Sequence, residues 1–500
     1  MATRTRRFAL GMITGYAAIL INILYTIFSV RIALHYLGKQ QFGLWALALQ
    51  VSGYMALLDL GMSSAISRFV ADHKDDVNGG AYGSLLLTGG LVFAIQGILI
   101  VLAGAAFSLV APTLFHIPLT LATDFQWVLV IITATSGFTI ACRSVGAPLW
   151  AFQRQDVTNM LSIFTLVTGA LMLWMGFRMG WGIYALAIAG IPSFFLSPLI
   201  IIAICYRRGY YPSAGKWGTP SWILFCKVFR FGKDVLLMSL GTQLVNASQI
   251  MIISRIAGLD AAATFSVGTK FYTMGQQFVG KILESASPGL TELFVRGDRE
   301  RFNSRFWSIV AITGFLATGG AVGVLTGNQA LVSLWTSGVI HWKFSADIYL
   351  AALLVATCLT RCLMGIFGMV GNFSTVRYIY FFEGCAFIGM AIPATRHYGI
   401  NGILAASLLA HLVVTACLSL RASTKWLESM KPIGRIVSGV CSIVILSLLP
   451  AFWIYSGQLP YVFTGILSLT LVIISLGMGW FFILTKEIRQ HLYEKLIAQK

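Results

Sequence analysis

Apolar segments of about twenty residues follow one another along the whole 500-residue chain, each ending in basic residues or in a Gly/Pro-marked turn. This pattern constrains the fold more than any other feature. A bilayer core about 30 Å thick is crossed by about 20 helical residues, and within hydrocarbon only a helix or a closed barrel satisfies its own backbone. The segments are continuous, not ten-residue and alternating, so a β-barrel is excluded and an all-α integral membrane protein is expected. Hydrophobic residues make up 57% of the chain and charged ones 10%, about half the charge of a soluble protein.

The spans fall near 8–31, 42–60, 84–110, 126–150, 158–178, 182–205, 235–254, 262–285, 308–327, 346–370, 376–395, 399–420, 436–455 and 461–484, fourteen in all. An even number puts both termini on one side. The first run has the basic flank of a signal sequence, Met1 to Arg7, but it is too long and lacks a small-residue cleavage site, so it is expected to stay as the first helix.

A net charge of +18 would suggest nucleic acid in a soluble chain, yet the basic residues lie at the ends of the spans. With the N-terminus in the cytoplasm, cytoplasmic segments collect 25 Lys and Arg, among them Arg207, Arg208, Lys216, Lys227, Arg230 and Lys233 in one loop. The opposite loops collect six: Arg31, Lys39, Arg178, Arg255, Lys343 and Arg396. Translocated short loops avoid Lys and Arg, so both termini are expected to be cytoplasmic and no nucleic-acid partner is needed. The eight cysteines show no CxxC and no zinc-finger spacing, so free thiols are expected, with no metal or cofactor.

The most basic loop follows the sixth span, where two six-helix halves would be joined. Gly38 with Trp45 recurs as Gly258 with Phe265 at an offset of 220, Trp181-Gly182-Ile183 as Tyr398-Gly399-Ile400 at 217, and Arg143 as Arg361 at 218. Because each half holds an even number of spans, the halves would be related by a pseudo-twofold axis along the membrane normal, with a terminal helix pair outside the repeat. The expected segments are an N-terminal lobe at 1–206, a basic cytoplasmic linker at 207–234, a C-terminal lobe at 235–421, and the additional pair with a tail at 422–500.

Tyr36-Leu37-Gly38, Phe42-Gly43-Leu44-Trp45 and Leu58-Asp59-Leu60-Gly61, followed by Arg68, resemble the polysaccharide-transport branch of the MOP exporter superfamily. The resemblance covers nearly the whole chain, but its motifs are turn and packing residues, which identify a scaffold better than a cargo. It implies a MOP/MATE-like transporter in a bacterial inner membrane, with two lobes enclosing a central cavity that opens to either side in turn. The cargo class it implies is an undecaprenyl-pyrophosphate-linked oligosaccharide for O-antigen or capsule-type assembly. Membrane lipids and a polysaccharide polymerase machinery are the partners it suggests.

Polar residues within the spans mark the expected site. Arg143 and Arg361 occupy repeat-equivalent positions in apolar surroundings, where planar guanidinium forks could clamp phosphate oxygens and where snorkelling to the headgroups is the structural alternative. Lys270, Gln277, Lys281 and Glu284 share one helix face, for which a wet cavity is the expected environment; an interfacial ion pair of Lys281 with Glu284 is equally compatible. Gln243 and Asn246 with Asn22 give the first helix of each half a polar seam, suited either to a cleft or to interhelical hydrogen bonds. Among the embedded acids, Glu383 is the candidate for proton coupling, against a structural pairing such as with Arg377, and Asp59 is expected to fix the end of span two or pair with Arg68. Gly275 to Lys281 has phosphate-loop spacing but continues with Ile282 inside a helical span, so no ATP hydrolysis is expected.

Two further classes compete. A multidrug exporter on the same scaffold would take organic cations, which an excess of Arg and Lys repels. A membrane glycosyltransferase or ligase would need a catalytic domain or a large acidic outer loop, and each outer loop here is about twenty residues or shorter. The orientation has a direct check. In a variant cleared of native cysteines, Cys205 and Cys226 included, a cysteine at Lys216 should react with an impermeant thiol reagent only in opened cells. Labelling in intact spheroplasts would overturn it.

Overall fold

A computed structural model describes residues 2–370, 373–457 and 459–497, and every regular element among them is helical. The chain forms two compact units, Met1–Ala263 and Thr264–Lys500. The first contains α1 (Ala2–Met55), α2 (Met62–Asp72), α3 (Ala81–Leu114), α4 (Leu119–Ala141), α5 (Arg143–Ala151), α6 (Gln155–Arg178), α7 (Tyr184–Ile188), α8 (Ile191–Arg207), α9 (Trp222–Asn246) and α10 (Ser248–Ala257). Helix α11 (Leu259–Gly268) carries the chain over the boundary. The second contains α12 (Lys270–Val295), α13 (Arg299–Trp335), α14 (Phe344–Val370), α15 (Phe373–Ala410), a π-helical turn at His411–Ala416, α16 (Cys417–Ser423), α17 (Lys431–Ser456), α18 (Tyr461–Phe482) and α19 (Lys486–Ile497).

Ten helices among the described residues are long and apolar enough to cross a membrane, which makes this a multi-pass membrane protein. Two of them, 13–59 and 374–423, each hold two of the expected spans. The remaining expected spans fall on α7 with α8 and on α11 with α12. The doubled helices bend at glycines that only a residue without Cβ adopts easily: Gly38 has φ 72° and ψ −177°, and Gly399 has φ 56°. Their repeat partners share these conformations. Gly258 has φ 85° and ψ 175°, and Gly182 has φ 54°. The repeat is therefore built on backbone turns.

In the first unit, α3 and α4 meet backbone to backbone. A Cβ on Gly97 would lie 2.5 Å from the Gly137 carbonyl oxygen, and one on Gly137 would lie 2.6 Å from that of Gly97. Small residues at such crossings let helices gain packing contacts where lipid supplies no hydrophobic driving force. Gly43 likewise leaves room for the Leu259 backbone, and Tyr54 hydrogen-bonds Ser248, so the second half of α1 holds α10 and the start of α11. The segment expected to open the C-terminal lobe, α9 with α10, thus packs in the first unit.

In the second unit α13 is central, with Phe302, Phe306, Val310 and Ala311 buried against Leu359 and Leu363 of α14 and Ile436 and Val440 of α17. The terminal pair packs on it too: Ser468 of α18 donates to the Thr326 carbonyl at 2.8 Å. Asp347, only 1% exposed, accepts from Asn328 Nδ2 at 2.6 Å and Trp342 Nε1 at 2.7 Å, tying the first turn of α14 to α13. The Gly97–Gly137 crossing makes a prediction. Gly97→Ala should cost about 1–3 kcal/mol through overpacking, read as a lower unfolding temperature of the purified protein. Gly477→Ala, whose new methyl meets nothing within 4 Å, should leave it unchanged.

Candidate functional site

The Leu58-Asp59-Leu60-Gly61 segment ends the second span in a left-handed pair, Leu60 at φ 53° and Gly61 at φ 72°. Gly61 is needed on two counts, since a Cβ there would also lie 2.3 Å from the Gly232 carbonyl oxygen of α9. The turn aims Asp59 at the start of α2, where its carboxylate accepts from the Ser63 hydroxyl at 2.5 Å and the Ser63 amide at 3.5 Å. Gln96 of α3 holds the Asp59 carbonyl at 3.1 Å. Into this polar corner comes Arg143, the first residue of α5. Its guanidinium lies 3.2 Å from Asp59 Oδ1 and donates to Ser63 Oγ at 2.9 Å.

Arg143 keeps 39% of its side chain exposed and lines a cavity of about 450 Å³ within the first unit. Ser63, Ser67, Gln155 and Thr158 make the polar part of its wall, and Ile66, Phe93 and Trp150 the apolar part. Below it, Arg154 is bound in a two-pronged pair to Asp156, both contacts 2.9 Å, which fixes the turn between α5 and α6. This hydrogen bonding raises the Arg154 pKa further above its ordinary value, so the guanidinium stays charged at any working pH. A guanidinium has five N–H donors and a single carboxylate does not use them all, so Arg143 retains donors for an anion in the cavity.

The second unit repeats the theme with its own residues. Arg361 of α14 donates to Glu284 Oε1 at 2.8 Å, and Lys281, one turn before Glu284 on α12, contacts Oε2 at 3.1 Å. Two cations share one carboxylate, leaving a local excess of positive charge. Gly280 makes the approach possible, because a Cβ there would lie 2.6 Å from a terminal guanidinium nitrogen of Arg361. Half of the Arg361 side chain is exposed.

The other residues nominated from the sequence lie along the helices of the two units. Lys270 opens α12 half-buried, and Gln277 on the same helix is exposed. In the first unit Asn22 of α1 and Gln243 of α9 are half-buried, Gln243 lying near Gly53, while Asn246 is exposed. Glu383 is buried and accepts from Thr415 at 2.7 Å, with His411 Nδ1 also at 2.7 Å. Sequence reading missed Ser63, Ser67, Gln155 and Thr158 of the cavity, as well as His411 and Asp347. His411 carried a usable signal, since an ionisable residue in the middle of a span is a functional-site candidate by default.

The chain has the fold of the MOP-superfamily transporters. Over 94% of this chain and 99% of the other, it matches the lipid II flippase MurJ in an inward closed conformation, with TM-score 0.72 at 13% identity. An inward-facing multidrug resistance MATE family transporter matches over 80% and 94%, with TM-score 0.67 at 14% identity. A Pyrococcus furiosus MOP-superfamily transporter, whose binding pocket is described as reversed in polarity, matches over 84% and 95%, with TM-score 0.63 at 13% identity. Residues 10–294, more than half of the chain, match the family described as polysaccharide biosynthesis protein, and the chain belongs to that family. No curated protein matches it.

The arginine clusters predict a charge requirement. Arg143→Gln or Arg361→Gln, inserted at normal levels, should weaken binding of inorganic pyrophosphate to the purified protein by about tenfold or more, the loss of hydrogen bonds worth about 1.5–3 kcal/mol each. The Lys variants should retain part of the binding, keeping charge but losing the fork. Undiminished binding in the double Gln variant would remove both arginines from the site.

Proposed function

We propose that this protein is a flippase that moves an undecaprenyl-pyrophosphate-linked oligosaccharide from the cytoplasmic to the periplasmic leaflet of a bacterial inner membrane, by alternating access, for O-antigen-type polysaccharide assembly. The observation that carries the reading is Arg143, half-exposed and retaining spare donors, in the wall of a cavity lined by both polar and apolar residues. A diphosphate on an isoprenoid chain offers an anion for Arg143 and hydrocarbon for the apolar lining residues. Membership of the polysaccharide biosynthesis family supports the same cargo class. So does the fold shared with a lipid II flippase.

In this reading Arg143, Arg361 and Lys270 bind the diphosphate, and Gln277, Asn22, Gln243 and Asn246 bind sugar or water. Glu284, Lys281 and Asp59 set the charge around the arginines as the protein changes state. Both termini are cytoplasmic, and a polymerase takes up the translocated cargo. The protein carries out no bond chemistry of its own. Multidrug export is the second reading, favoured by the fold shared with a MATE transporter. It fits less well, since Lys281 and Arg361 outnumber the one carboxylate they share and would repel an organic cation.

Deletion of the gene, in a strain with no second flippase, should abolish surface polysaccharide while the lipid-linked precursor is still made and stays on the cytoplasmic side. Normal surface polysaccharide would overturn the cargo. Loss of drug tolerance with polysaccharide intact would favour the second reading.

A further inference from the structure

The cavity wall around Arg143 holds a second kind of surface that anion binding leaves unused. Trp150 follows Arg143 on α5 and lines the same cavity, with 52% of the residue exposed. The two are seven residues apart, which makes about two helical turns and about 10.5 Å, so the indole stands on the same face as the guanidinium, further along the helix. Between them the wall is low, formed by Gly146 and Ala147. Gly146 lies inside α5 with no positive φ, and beyond its own helix a Cβ there would meet only Ile201 Cδ1, at 4.0 Å. Neither a turn nor a close helix crossing calls for glycine at a position where it destabilises the helix relative to alanine. What it does is keep the cavity open between the cation and the indole.

The first turn of α6 adds Gln155 and Thr158 to this wall, both exposed. The Thr158 hydroxyl donates to the Gln155 carbonyl at 3.1 Å, which leaves its own oxygen able to accept. Among the described residues no group accepts from the Gln155 side-chain amide. The turn that presents them is fixed in place. Arg154 is paired with Asp156, and Asn159 Nδ2 donates to the Gly11 carbonyl and the Thr14 hydroxyl of α1, both at 3.1 Å.

We infer that Trp150, Gln155 and Thr158 form a pyranose subsite, which takes the sugar joined directly to the diphosphate at Arg143. A pyranose has a face of C–H bonds and a rim of hydroxyls. The slightly positive C–H face stacks on the electron-rich face of an indole, and the rim needs donors and acceptors at the edge of the stack. An amide and a hydroxyl beside Trp150 supply both. The separation of Arg143 from Trp150 is about the span of a diphosphate with one ring attached. A cavity of about 450 Å³ lies in the range that holds one small ligand, about 300–1,000 Å³, so the rest of the repeat unit stays outside it. Ile66 and Phe93, the other large apolar residues of the wall, are 2% and 1% exposed, so among the lining residues Trp150 has the aromatic face that is open to a ligand. The ligand class rests on the flippase reading, whereas the choice of residues rests on the cavity alone.

The test compares binding of farnesyl diphosphate to the purified full chain in detergent with binding of farnesyl diphosphate carrying one glucose, galactose or N-acetylglucosamine. The wild type should bind at least one of the sugar-bearing forms about tenfold more tightly than the bare form. Trp150→Ala should bring that ratio to about one, Trp150→Phe should keep part of it, and Gln155→Ala should lower it about threefold. Because the readout is a ratio within each variant, a change in affinity for the lipid diphosphate itself cancels. A wild-type ratio near one for every sugar, with the bare form bound, overturns the subsite and leaves the flippase reading standing. A ratio fully retained in Trp150→Ala overturns the stacking platform. If that variant does not fold, Trp150→Phe and Gln155→Ala carry the test, and an unchanged ratio in both overturns the subsite. No binding of either form by the wild type would strike the flippase reading, and the subsite with it.

Discussion

Charge inside a bilayer has to be met by countercharge or by water, since even the mildest scales put an Arg, Lys or Asp at mid-span at about 2.5–3.5 kcal/mol. Arg143 is met by Asp59, Arg361 by Glu284, and Glu383 by His411. Each of these contacts joins different helices: the end of the second span to α5, α12 to α14, and α15 to the π-helical turn. Polar pairing therefore also fixes which helices stand side by side, in a medium where apolar burial gives little preference among partners. Asp347 does the same at the first turn of α14 with uncharged donors.

Pairing does not disqualify an arginine from carrying cargo. A cluster of bare cations would hold a diphosphate tightly and release it poorly. In a low-dielectric cleft such a cluster would also be costly to keep empty. A guanidinium already held by one carboxylate exchanges part of one anion's contacts for another's, so binding and release differ by a modest free energy. Glu284 is suited to that exchange because it is half-exposed and shared between two cations. Asp59 is more enclosed and bound to Ser63 as well, so Arg143 more nearly keeps its partner and offers only its spare donors.

The spans were legible because helix-length apolar runs admit one solution in lipid. The repeat was legible because its anchors are glycines at positive φ, the one place where sequence and backbone conformation correspond closely. Arg143 and Arg361 stood out for the same reason any charge within an apolar span does. Asp59 and Glu284 stood out too, but their pairing with the arginines did not, because no spacing rule links Asp59 to a residue 84 positions on or Glu284 to one 77 positions on. Asp347 lies at the edge of an apolar run and reads as a solvated loop end until Trp342 and Asn328 close over it. His411 was passed over because a single imidazole in an apolar helix has no periodic companions. The grouping of α9 and α10 with the first unit was hidden as well, since it depends on bare glycine faces at Gly43 and Gly61.

Those glycine faces bear on function as much as on packing. Gly280 stands where any side chain would strike the Arg361 guanidinium, and Gly61 stands where any side chain would strike the α9 backbone beside the turn that aims Asp59. In both clusters the charge is placed by what its neighbour lacks. A methyl group at Gly280 would leave every ionisable group present and yet make the end of the Arg361 side chain shift, separating the position of the charge from its amount. The Arg361–Glu284 contact is sensitive to such a shift, because a displacement of about 1 Å is enough to turn a charge-assisted hydrogen bond into a screened contact. The arginines and carboxylates supply the charge, and the two glycines beside them determine where it sits.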